Sequence, residues 1–134
     1  MGSIKRKPLI EKKCSQCYNP THLKFNFSFI SYQDNFTDEH KAKLVDRLFQ
    51  ISNEPYLVVA GWGKEKGFEH VKLDIRKQID SRYFESPNRT FDGKYSVIRL
   101  YTNNNPTPAR IIGRMENKIF YVFFIDVDGK LYSH

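Results

Sequence analysis

Three arginines near the end of the chain have the type and spacing for phosphate chemistry. In "YSVIRLY" Arg99 shares its side with Tyr95, Val97 and Tyr101, and in "ARIIGRM" Arg110, Ile112 and Arg114 share one side, with Ile111 and Gly113 on the other. If the two stretches pair as antiparallel strands, three guanidinium groups fall on one face. Arginine holds tetrahedral and planar anions by forked hydrogen bonds, so such a cluster points to phosphate. The chain closes on "KLYSH", which puts Tyr132 and His134 just beyond the last strand-like run. RNA cleavage through the 2′-hydroxyl needs a group to take that proton, a group to protonate the leaving 5′-oxygen, and positive charge for the phosphorane. Histidine suits either proton step, tyrosine orients or donates, and arginine neutralises developing charge. Tyr101 and Tyr132 are also candidates to stack a base. The plain reading of the same residues is a solvated sheet face, a packed edge tyrosine and a frayed terminus.

A second chemical signal stands at the other end. "CSQCYNPTH" supplies Cys14, Cys17 and His22, part of a zinc-ligand spacing that would need a remote fourth ligand such as His40 or His70 to close a tetrahedron. As a redox pair it lacks the surrounding strand-helix-strand pattern. No other cofactor is indicated: "GWGKEKG" lacks the Walker spacing and reads as a hairpin connection.

The elements that must position these groups follow from hydrophobic periodicity. Residues 1–20 read as an extended basic arm and 21–134 as a single α+β domain. "HLKFNFSFIS" alternates with period two, a strand with one buried face. "FTDEHKAKLVDRLFQISNEP" changes to helical period: Thr37 caps it, Asp38 and Glu39 sit in the first turn, and Asn53 and Pro55 stop it. Its apolar stripe is Leu44, Val45, Leu48, Phe49 and Ile51, while Lys41, Lys43, Asp46 and Arg47 read as the solvated face. "PYLVVAGW" and "EHVKLDI" read as short strands, although "VKLDIRKQI" also tolerates helix, and "DSRYFESPNRTFDGK" reads as loop. From residue 95 three runs, "YSVIRLY", "ARIIGRM" and "IFYVFFI", form an antiparallel meander, and Asp128-Gly129 turns into "KLY". Both alternating sets of "IFYVFFI" are apolar, so that strand is central and covered on both faces. The expected architecture is an antiparallel or mixed twisted sheet packed against one main helix.

The chain of 134 residues carries a net charge of +7, concentrated at its ends. Residues 1–24 hold six Lys/Arg against one acid and residues 76–134 ten against six, whereas the middle is slightly acidic. A polyanion partner follows, RNA before membrane, because no basic amphipathic helix accompanies the charge. No apolar run is long enough to span a bilayer and no export signal is evident, so a cytoplasmic location with reduced thiols is expected.

The order of strand-arginine, strand-arginine-glycine, long apolar strand and a tight turn into a Tyr/His ending resembles the RelE/ParE-like toxin superfamily, in particular its YoeB-type members, over residues 95–134. That resemblance implies a small α+β toxin fold, metal-independent and ribosome-dependent mRNA cleavage, and an acidic antitoxin that wraps the toxin. It assigns Arg110 as the transition-state arginine, Tyr132 and His134 as the terminal catalytic pair in reversed order around Ser133, and Arg99 and Arg114 as auxiliary phosphate contacts. Glu69 and Glu85 stand roughly where the family's glutamate would be. The family also places two helices after the first strand, where periodicity here gives one. The competing reading is a non-catalytic basic module of the same fold that grips nucleic acid or an acidic protein; a weaker third is an accessory factor of a mobile element.

Overall fold

A computed structural model of the chain describes residues 22–86, 92–103 and 105–131. Alternation in "LKFNFSF" produces a strand, but a short one. β1 (Lys24–Asn26) stops where the Asn26 side chain accepts from the Ser28 amide, and the chain turns before β2 (Ser31–Tyr32). The turn sends Phe29 to one side of the sheet and leaves Leu23 and Phe25 on the other.

The helix α1 spans Asp38–Ser52 and begins as expected at Thr37, whose hydroxyl accepts from the His40 amide while His40 Nδ1 accepts from the Thr37 amide. This is a capping box with histidine in the place usually held by Glu or Gln. The buried stripe differs from the expected one. Leu44 and Ile51 are buried and Leu48 packs beside them, but Val45 and Phe49 are 66% and 70% exposed, and Arg47 is buried in their stead.

Two stretches expected as strand and hairpin link are helical. α2 (Tyr56–Ala60) starts behind Pro55, and α3 (Gly63–Lys66) takes up "GKEK". Proline fixes φ for a helix start, and five residues with one buried side chain, Val59, cannot serve as a two-sided strand. The expected strand at "EHVKLDI" survives as β3 (Phe68–Lys72), after which two 3-10 turns, Arg76–Gln78 and Ser81–Glu85, carry Ile75, Ile79 and Tyr83 into the core.

The meander forms as read: β4 (Lys94–Arg99), β5 (Arg110–Glu116) and β6 (Ile119–Asp126) are successively antiparallel, with β5 and β6 joined through Asn117 and Lys118, both at positive φ. Paired positive φ values match the right-handed twist of a two-residue hairpin. The sheet is mixed, in the order β1-β6-β5-β4-β3, with β1 and β2 both parallel to β6. β6 is thus interior and covered on both faces. On one face Phe120, Val122 and Ile125 meet the helices; on the other Phe123 meets the 3-10 turns, its ring 4.6 Å from that of Tyr83. The protein is α+β, and no helix among the described residues is long and apolar enough to cross a membrane.

Candidate functional site

Antiparallel register places Arg99 directly opposite Arg110, and Arg110 opposite Asp126 on β6. These three share the face of Val97 and Ile112, because paired residues project to the same side and alternate residues return to it. The middle of that face is not solvated: Val97, Ile112 and Phe123 are sealed under Ile75, Ile79 and Tyr83. The arginines therefore occupy its two ends. Arg99 and Arg110 stand together at one end, and Arg114, four residues along β5, is about 13 Å away at the other. One phosphate cannot reach all three.

Each end has its own electrostatics. Arg99 is ion-paired with Glu65 of α3, which brings an acid into the guanidinium cluster that the strand sequences alone do not contain. Arg110 donates to the Ala109 carbonyl. Asp126 is fully buried, and its carboxylate accepts from the amides of Lys130 and Leu131 at 3.0 and 2.9 Å. That pair of bonds folds residues 127–131 into a turn around Gly129 (φ 69°), where a short final strand was expected, and seats Leu131 against the second core cluster. Asp128 is further held by the Asn35 side chain at 2.8 Å. The chain is thus tied down as far as Leu131, at the strand end that carries Arg110. Tyr132 and His134 lie outside the described residues, as do Cys14 and Cys17.

At the far end, Arg114 donates to Asp92 at 2.7 Å and to the Lys94 carbonyl at 3.1 Å, with Glu116 at 3.6 Å. Its hydrogen bond, joined by that of the Lys94 amide, pulls the Asp92 carboxyl down to about 2. Burial works against the Arg114 cation, but Asp92 more than offsets it and the guanidinium lies above its ordinary value. Arg114 is a structural clamp on the β4–β5 end. Tyr101 is likewise committed: half-buried beside α1, it meets the His40 ring edge-on and lies under Lys43. Burial first, then Glu39, raises its hydroxyl pKa.

Comparison with protein-family models, with curated proteins and with solved structures returns no match.

The site must be read from its own geometry. His22 is exposed at the edge of the described region, and among the described residues no three His, Cys, Asp or Glu side chains are grouped to hold a metal. The histidine that stands in a concave setting is His70, which strand periodicity leaves as an ordinary β3 residue. It lines a cleft of about 450 Å³ with Tyr56, Lys94, Ser96 and Lys118, and its Nδ1 lies 2.9 Å from the Ser96 hydroxyl across the β3–β4 ladder. Sequence could have found this pairing only through register: "EHV" and "YSV" must align before His70 meets Ser96. Glu69 projects to the opposite side of β3, and Glu85 closes the second 3-10 turn.

Proposed function

We propose that the chain is a metal-independent endoribonuclease of RelE-like architecture whose site lies at the Arg99–Arg110 end of the sheet. The observation that carries this reading is Asp126. It faces Arg110 in register and at the same time binds the backbone of residues 130 and 131, so the segment leading to Tyr132 and His134 starts beside Arg110. In the reaction the 2′-oxygen bonds to the adjacent phosphorus and the bond to the 5′-oxygen breaks, leaving a 2′,3′-cyclic phosphate and a 5′-hydroxyl. His134 takes the 2′-proton, Tyr132 gives one to the 5′-oxygen, and Arg110 neutralises the phosphorane. Arg99 assists once the phosphate competes with its partly exposed partner Glu65. The two short helices after α1 also support the toxin resemblance, since the family places a second helix there. The exposed Val45 and Phe49, one turn apart on α1, offer an apolar strip for an acidic protein partner that would complement the net charge of +7.

The second reading, a basic binding module without catalysis, is favoured by the carboxylates on Arg99 and Arg114. Induced expression separates the two. The nuclease halts growth and fragments mRNA, and Arg110→Ala or removal of residues 132–134 restores growth with the protein still folded. Intact mRNA under wild-type expression, with RNA bound by the purified protein, assigns the chain to the binding class.

A further inference from the structure

The His70 cleft carries a charge arrangement that the fold itself does not neutralise. Lys72 and Lys94 are directly opposite in the β3–β4 ladder and project to the side of His70 and Ser96. Like charges at that position repel, whereas opposite charges there would stabilise the sheet. Lys94 lines the cleft, as does Lys118 at the positive-φ turn between β5 and β6, and Lys72 stands beside them outside the lining. Among the described residues none of these three lysines forms an ion pair, while Arg82, Arg99 and Arg114 each have a carboxylate partner. Among the described residues the single acid on the cleft wall, Asp92, is taken by Arg114.

Tyr56 in the cleft lining continues into a buried aromatic stack. Gly113, opposite Ser96, has no side chain, and a Cβ there would stand 2.5 Å from the Phe120 ring and 2.2 Å from the Tyr121 carbonyl. Its absence lets Phe120 lie across the sheet and stack on Phe68 at 5.9 Å; Tyr56 follows at 6.2 Å from Phe68. A half-buried tyrosine beside unpaired lysines and a histidine fixed by a hydroxyl is the combination that takes a flat ring at one end and a phosphate at the other. With Nδ1 engaged by Ser96, the remaining nitrogen of His70 is the one that can reach a ligand oxygen.

We infer that this cleft binds the phosphate of a nucleotide, with Lys94 and Lys118 on the phosphate, His70 on a phosphate or ribose oxygen and Tyr56 against the base. The site is independent of Arg110 and lies at the opposite end of the sheet. The ligand is either a free nucleoside phosphate or one nucleotide unit of a single-stranded RNA, and the two are told apart by titration. Adenosine 5′-monophosphate, inorganic phosphate and a short single-stranded RNA, each with the full chain, are measured by calorimetry against wild type and Lys94→Glu/Lys118→Glu.

Binding of the monophosphate more tightly than inorganic phosphate identifies a free nucleotide site; binding of the RNA alone identifies a strand site. In either case the double variant loses at least tenfold in affinity. Lys94→Glu places opposite charges across from Lys72, so its melting temperature without ligand is expected to stay level or rise, which separates lost binding from lost folding. Lys41→Glu/Lys43→Glu, on α1, changes net charge equally and keeps cleft binding. No binding of any probe by the wild type, or equal binding by the Lys94→Glu/Lys118→Glu variant, overturns the inference.

Discussion

Arg47 shows how one side chain can be misplaced by periodicity and still organise the fold. It sits on the charged side of the α1 sequence, yet it is 1% exposed and donates to three acceptors: the Arg99 carbonyl at 2.8 Å, Gln50 Oε1 at 2.7 Å and the Lys66 carbonyl at 2.8 Å. One guanidinium thus joins α1, α3 and β4. Burial brings its pKa down to about 10, partly countered by Glu65, so it stays charged at neutral pH. Arg47→Ala leaves two carbonyls without their donor and opens a void, and is expected to cost about 3 kcal/mol in urea denaturation. A change below about 1 kcal/mol would show that the clamp contributes little. Asp92 makes the complementary case at the surface. Its folded pKa lies below the ordinary carboxylate value, so the stability it contributes is present above about pH 3.8 and is lost as pH falls through about 2. A carboxyl NMR titration should place its midpoint near 2 and return it toward 3.8 in Arg114→Ala; an unchanged midpoint in that variant would exclude Arg114 as the cause.

Among the elements, the meander was legible because its signals are local. Alternation in residues 95–125 and turn residues at 117–118 and 128–129 set the strands, and two apolar faces on β6 placed it in the interior. The segment 55–66 was not legible. "YLVVAGW" has the composition of a strand; Pro55 ahead of it serves equally to end α1 and to open α2, and the burial of Val59 in the core decides for helix. The rotation of α1 has the same origin, since Arg47 finds backbone acceptors that no pattern within the helix announces. For the site, sequence put the three arginines on one face, and the four-residue spacing of Arg110 and Arg114 already sets them about 13 Å apart along a strand. What it could not give was the register that puts Arg99 opposite Arg110, nor the pairing of Glu65 and Asp92 with arginines. The cleft with His70 depended on β3–β4 register and was missed for that reason. Gly113 ties this scale to packing. Gly113→Ala drives a methyl into the Tyr121 carbonyl and the Phe120 ring, with an expected loss of about 2–3 kcal/mol seen as a lower melting temperature. Wild-type stability in that variant would mean the β5–β6 bulge beside it relaxes freely.

The whole molecule distributes its charge unevenly over a three-layer body. Helices cover one sheet face and the 3-10 turns the other, so functional groups are confined to the two ends of the strands. One end joins Arg99, Arg110 and the anchored approach to the C-terminus; the other gathers the lysines around His70. On the proposed reading the chain holds RNA at one end and acts on it at the other, and high salt should weaken that binding because less is gained by releasing counterions from the phosphates.

The central claim, that Arg110 and the C-terminal segment cleave RNA without metal, is tested by following a defined mRNA in a translation extract. Product ends are analysed after addition of purified protein, with and without prior removal of metal from that protein. Wild type is expected to yield 2′,3′-cyclic phosphate ends in both preparations, with the rate lowered about 100-fold or more in a folded Arg110→Ala variant. An uncut message, or cutting by Arg110→Ala at the wild-type rate, would contradict it.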